Sequence, residues 1–322
     1  MLNPYSLLPL ALAARGGRVD EYEVQQLVAA GLTLLQRSAP LVRTLSGKRA
    51  AIFLPTSPQF FVALAACEGR GAVLINPLTA PLEISYQLTD ARVGAVFTNS
   101  VLAAKLPDAF PRVILDDGVQ SARVSIDGAT REVDLGSHHG LSIEGDTEVD
   151  GSDDEAVIVY TSMSERPSAV VVSHKTLLTD ARSTLAAVGN THHDRVLALL
   201  PFSQLFGFTV AAIAPLLCGA SVLTMPHVDP TRSLELIAAG EITEVVGEPA
   251  VFEALVAAMK ARGTRGGLGA LRTSICSGAQ VSAVLQNQWY DATGTVLRHG
   301  YDLTEAGADL SAAQHPPTIT IL

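Results

Sequence analysis

Between Tyr160 and His174 the chain reads YTSMSERPSAVVVSH. An apolar strand, Ala156-Val157-Ile158-Val159, runs into a polar turn and then into a second, valine-rich strand. Strand, polar loop and strand in this order present backbone N–H groups to anions, phosphates above all. Such a loop ordinarily uses glycine, which turns through positive φ and lets the backbone approach an anion with no side chain in the way. This one contains no glycine.

The flanking segments must hold that loop in place. Residues 21–42 carry apolar positions at helical spacing (Val24, Leu27, Val28, Leu32, Leu35) and predict one amphipathic helix. Lys48 to Pro55 predicts a buried strand, and Pro58 sits in the first turn of a helix that runs to about Gly69. The run from Gly71 to Thr98 predicts strand, Pro-rich turn, helix and strand. Alternation of this kind argues for an α/β protein, a mainly parallel sheet flanked by helices on both faces. From Asp117 to about Glu155 the pattern dissolves, and Asp146, Asp150, Asp153 and Asp154 among glycines and serines predict a solvated acidic connector. The expected division is therefore a first lobe over residues 1–150 and a second over 151–322. The second lobe continues with a helix from about Lys175 to Val188, a strand from Arg195 to Pro201, a core helix from Phe208 to Leu217 and a strand from Ala220 to Met225.

Composition narrows the class. A chain of 322 residues, 48% hydrophobic and 17% charged, describes a soluble globular protein with a large core. A net charge of −10 and the lack of any Lys/Arg run argue against nucleic acid. Cys67, Cys218 and Cys276 are odd in number and far apart, as reduced thiols of a cytoplasmic protein would be. The short apolar run at the N-terminus lacks a basic start, so no signal peptide is expected, and no apolar stretch is long enough to span a bilayer.

Tyr160-Thr161-Ser162, Arg166-Pro167, Val170 and Ser173-His174 together resemble the phosphate-loop signature of the adenylate-forming superfamily of acyl-CoA synthetases, aryl-acid ligases and nonribosomal adenylation domains. Against that signature Met163 replaces the first glycine, the loop is one residue short, Ser168 replaces the lysine and Ala169 the following glycine. Further segments carry the likeness. A Pro-rich turn leads to a helix with a Tyr-x-Leu pair, Tyr86 and Leu88; Phe202 to Gly207 is similar to the segment whose histidine sits over the reacting carboxyl, with Gln204 in its place. Glu248, before Pro249, stands where the family keeps a small or apolar residue beside its acyl pocket. Leu271 to Ala279 resembles the strand and turn that carry adenine, and Val296 to Gly307 resembles the GYGxTE box.

The resemblance implies two stacked lobes equivalent to a shortened large domain, without the family's C-terminal lid. It implies a nucleotide and acyl pocket built from Thr161, Ser162, Ser164, Phe202, Ser277, Gly278, Ala279, His299, Gly300, Tyr301 and Thr304, with Glu305 as the holder of any Mg²⁺. Asp302 replaces the second glycine of the box, so Asp302, Glu248, Glu305 and Gln204 become candidates for acid/base work. Asp302 could equally cap a helix starting near Leu303, and Glu248 could face solvent at a strand end. The loss of several phosphate-holding groups, each worth roughly 10²–10³ in rate, counts against ATP and Mg²⁺ as cofactors. The expected function is ATP-independent chemistry (dehydration, cyclisation, isomerisation or hydrolysis) on an acyl or aryl carboxylate or its CoA or carrier-protein thioester. The alternatives are an AMP-forming ligase completed by a partner, or a non-catalytic scaffold. An uncovered sheet edge would favour self-association or a partner enzyme.

Overall fold

The computed structural model describes residues 8–67, 71–116, 118–136, 153–161, 167–263, 268–302 and 319–321. The described residues form two eight-stranded sheets, whose central strands are rich in Val, Ile and Ala and buried on both faces. The first sheet runs β10 (Ala169–Ser173), β9 (Glu155–Tyr160), β4 (Ala72–Leu74), β3 (Arg49–Phe53), β5 (Val93–Thr98), β6 (Arg112–Ile114), β7 (Ser121–Ile126) and β8 (Ala129–Asp134). Its strands from β9 to β6 are parallel, with antiparallel partners at both edges. The second runs β16 (Ile319–Ile321), β15 (Leu297–Asp302), β14 (Thr273–Cys276), β13 (Glu244–Gly247), β11 (Arg195–Ala198), β12 (Ser221–Thr224), β1 (Arg18–Val19) and β2 (Tyr22–Glu23), parallel from β15 to β1. This is the mainly parallel, two-lobed α/β architecture read from the sequence.

The central strands of each sheet are covered on both faces. In β3, Ala50 and Ile52 enter the central core while Ala51 and Phe53 turn to an outer layer with Ile84 and Leu88 of α5 (Pro81–Asp90). The central core holds α1 (Leu8–Ala13), α2 (Val24–Arg37) and α4 (Pro58–Cys67). It reaches across to Phe202 and Phe208, whose rings lie 5.5 and 5.4 Å from Phe60. The outer face of the second sheet is covered by α9 (Pro230–Ala238), α10 (Pro249–Arg262) and α11 (Ala283–Thr293), with Trp289 edge-on to Phe252 at 4.8 Å. Among the described residues no helix is long and apolar enough to cross a membrane.

Several expectations are corrected. The single helix over 21–42 is two, α2 and α3 (Ala39–Thr44), because Pro40 removes a backbone donor and crowds the preceding turn; Ser38 leaves the helical region at φ −122°, ψ 74°. The stretch after Asp117 is not structureless: β7 and β8 form a hairpin around Asp127-Gly128, both at positive φ (50° and 77°), the two-residue turn that Asp-Gly favours. Sheet membership crosses residue 150 in both directions. Strands β9 and β10 close the first sheet, and β1 and β2 join the second. The core helix begins earlier than Phe208: α7 (Leu205–Phe208) passes through one π-helical stretch, Thr209–Ile213, into α8 (Ala214–Leu217). Pro215 explains the widened turn, since it cannot donate to the carbonyl of residue 211. The helix α6 (His174–Val188) begins as expected, with the Ser173 side chain accepting from the Thr176 N–H at 3.1 Å.

Glu244, at the start of β13, is fully buried; one carboxyl oxygen accepts from Asn190 Nδ2 at 2.6 Å and the other has no partner among the described residues. Burial pushes its carboxyl up to about 7 from an ordinary 4.5, and the Asn190 bond only partly offsets this. The folded state therefore prefers the protonated acid. That contribution is whole below pH 4.5 and is lost as pH rises through about 7. Glu244→Gln keeps an oxygen for Asn190 and removes the ionisation. Urea midpoints should show the variant gaining, relative to the parent, on the order of 1–3 kcal/mol at pH 8, with the gain shrinking towards pH 5.

Candidate functional site

Parallel strands deliver their carboxyl ends to one side of a sheet, and that is where open α/β sheets bind ligands. Here both sheets deliver theirs to the same cleft. The segments following β4, β11 and β14, with Val159 and Tyr160 at the end of β9 and His299 and Gly300 of β15, enclose a cavity of about 780 Å³.

On the first-lobe side the Asn76 carboxamide accepts from the Leu78 N–H at 2.9 Å, a turn that sets Leu78 and Thr79 at the lip and starts α5 behind Pro81. Along α5, Gln87 Nε2 donates to Glu83 Oε1 at 3.1 Å, placing both on the wall. Tyr160, at the end of β9, donates its hydroxyl to Asp90 Oδ2 at 2.7 Å. Burial, reinforced by that carboxylate, pushes its phenol far above the usual range, so Tyr160 stays a neutral donor. Its neighbour Thr161 closes the neck of the polar loop: Thr161 N–H donates to Ser168 O and Ser168 N–H to Thr161 Oγ1, both at 3.1 Å. Tyr86 reaches from α5 to donate to Pro167 O at 3.2 Å, and its ring stands edge-on to Tyr160. The helix that lines the cavity thus also grips the loop.

On the second-lobe side Gln204 precedes α7, its carbonyl accepting from Phe208 N–H at 2.9 Å, while its Nε2 donates to Glu248 Oε1 at 3.3 Å. Glu248 occupies the N-cap position of α10 but does not cap that helix with its side chain. It lies against Gly278, where a Cβ would stand 3.3 Å from Glu248 Cγ. Gly278 is at φ +93°, a conformation that suits glycine, and the Ser277 N–H is tied to Gly247 O at 3.1 Å. At Gly300 a Cβ would stand 2.1 Å from Phe206 Cζ, so the Phe206 ring packs directly on that backbone.

Of the residues singled out from the sequence, Gln204, Ser277, Gly278, Ala279, His299 and Gly300 meet on this cavity, with Glu248 behind two of them. Thr161 is buried in the loop neck. Phe202 is absent from the wall; it fills the aromatic cluster between the lobes, 5.8 Å from Phe61, because the chain after β11 turns it inward. Tyr301 and Asp302 end β15, paired with Thr320 and Ile319. Ser162, Ser164, Thr304 and Glu305, and the side chains of Tyr301 and Asp302, lie outside the described residues, as does any metal role of Glu305. Among the described residues no group of three His, Cys, Asp or Glu is placed to hold a metal. Sequence reasoning missed Asn76, Thr79, Glu83, Gln87 and Phe206; the Asn-Pro turn was the one available signal for the first of these.

A nucleotide fits part of this site. The turn 277–279 brings only small side chains to the wall, and the volume lies in the upper part of the range for ligand cavities. No Lys or Arg lines it among the described residues, so the wall described here suits the base and sugar better than the phosphates.

A family model described as AMP-binding enzyme matches residues 42–320. The protein named 4-coumarate–CoA ligase-like 4 of Oryza sativa subsp. japonica is 29% identical over 314 residues, taking in 94% of this chain and 55% of the rice protein. Among solved structures, ATP-bound MatB from Rhodopseudomonas palustris superposes with a TM-score of 0.70 at 21% identity, over 94% of this chain and 60% of MatB. The N-terminal domain of FACL13 from Mycobacterium tuberculosis gives 0.71 at 22%, over 96% of this chain and 78% of that domain. The chain spans about half the length of the curated relatives it matches. The structural likeness establishes the fold, two α/β lobes like those of the FACL13 N-terminal domain.

Proposed function

Because the chain belongs to the AMP-binding enzyme family, we propose that it forms the acid- and nucleotide-binding part of an AMP-forming ligase for an acyl or aryl carboxylate. The observation that carries this is the single cleft onto which both sheets direct their strand ends, lined by the small-residue turn 277–279 and by Gln204. The names of the relatives, CoA ligases, support ligation over the ATP-independent chemistry expected from the sequence. So does the partner of Glu248, since the neutral Gln204 amide cannot pass a proton as an acid/base pair would. ATP, when bound, supplies the adenylyl group that activates the carboxylate. The chain's own residues bind and orient. Ser277, Gly278 and Ala279 would carry the base, the neck formed by Thr161 and Ser168 with the Tyr86 latch would hold the polar loop, and Phe206 would bound the acyl end. The activated acid would leave as a thioester of CoA or a carrier protein, in the cytoplasm, the compartment that keeps scattered cysteines such as Cys67, Cys218 and Cys276 reduced.

Calorimetry with nucleotide and a panel of carboxylic acids, followed by acid-dependent pyrophosphate exchange, tests the reading. Binding of both ligands supports it; binding of neither removes it. The departures at Met163, Ser168 and Ala169 are proposed to weaken the hold on phosphate. Ser168 is exposed and its backbone makes both neck bonds, so Ser168→Lys should preserve the fold. An added ammonium at the loop exit should tighten ATP binding about tenfold, the scale of one charge-assisted hydrogen bond. Equal affinity in the two proteins would remove the degenerate-loop reading.

A further inference from the structure

We infer that the acid taken by this cavity carries a second, hydrogen-donating group, an amine or a hydroxyl, that docks on the Glu248 carboxylate; the inference rests on the acid-binding reading above. Glu248 is half-buried, and among the described residues its side chain has one hydrogen-bond partner, the Gln204 amide at 3.3 Å. A carboxylate has room for about four hydrogen bonds and loses stability when water is displaced without replacement. Gly278, which lines the cavity, puts no side chain beside it; a Cβ there would stand 3.3 Å from Glu248 Cγ and 3.7 Å from Oε1. The described wall offers no Lys or Arg to neutralise it, and Glu83, the carboxylate on that wall, is engaged by Gln87.

An incoming acid is itself an anion. A plain hydrocarbon acid would desolvate Glu248 and return nothing, while its own carboxylate would be repelled. A donor at the far end of the same molecule reverses both effects, giving Glu248 a charge-assisted hydrogen bond. Glu248 therefore acts as a recognition group, held in register by Gln204, and not as the proton-transfer residue expected from the sequence.

The test is binding without nucleotide. Calorimetry would compare benzoate with its 3-amino and 3-hydroxy derivatives, and butanoate with 4-aminobutanoate, on the parent protein, Glu248→Gln and Glu248→Leu. The parent should favour the donor-bearing member of at least one pair by about tenfold or more. Glu248→Leu should reverse that preference, while the isosteric Glu248→Gln should keep binding hydroxy acids and lose the advantage of protonated amines. Equal parent affinities within every pair, or a preference that survives Glu248→Leu, would overturn the inference and leave the acid-binding reading standing. If no acid of either kind binds, that reading fails and the inference falls with it.

Discussion

Replacing Gly31 by alanine is expected to destabilise the protein by about 3 kcal/mol, the upper part of the range for an overpacked core. Alanine in a helix interior would normally gain up to ~1 kcal/mol over glycine, so the sign is decided by space. Gly31 lies in α2 where it crosses α4, and a Cβ there would stand 2.3 Å from Val62 O, 2.7 Å from Ala65 Cβ and 3.0 Å from Ala66 N. Two of these are backbone atoms of a fully packed helix and cannot swing aside. The helices must separate, and α4 carries Phe60 and Phe61 of the cluster that joins the lobes. Urea denaturation followed by tryptophan fluorescence measures the loss, because Trp289 reports on the second lobe. A stabilised Gly31→Ala protein would mean that the crossing is looser than these distances state.

At Gly300 the same substitution should act on ligands more than on folding. The atom in the way is the Phe206 ring, with Cζ 2.1 Å and Cε2 2.5 Å from the added carbon. A ring at the end of a flexible side chain can move, and its open side is the cavity it lines. Gly300→Ala should therefore push Phe206 into the acyl end and weaken acid binding by roughly 10–200-fold, the effect of a misplaced methylene in an apolar pocket. Stability should change less than in Gly31→Ala. Truncating the ring as well, in Gly300→Ala with Phe206→Leu, should restore part of the affinity. Calorimetry on the three proteins checks this, and unchanged acid affinity in Gly300→Ala would take Phe206 out of the acyl pocket.

Much of the fold was legible in the chain. The largely apolar strands at 49–53, 93–98 and 155–160 alternate with helical segments, and that alternation predicts a parallel, helix-covered sheet. Pro58 marked its helix because its chemistry is local. The hairpin at Asp127-Gly128 was equally local and was overlooked beside a run of acidic residues, so that error lay in the reading and not in the signal.

What the sequence determined by itself was the order and type of elements, the candidate turn 277–279 and the identity of Gln204 and Glu248 as polar residues near a pocket. It could not say that Gln204 donates to Glu248, that Phe202 turns to the lobe interface while Phe206 turns to the cavity, or that α5 supplies a wall. Those facts depend on contacts between residues tens to more than a hundred positions apart. Periodicity and capping act over one or two turns of chain, whereas the direction of a loop side chain is chosen by whichever distant element packs against it first. The two sheets had to meet before any residue could be said to face the cleft.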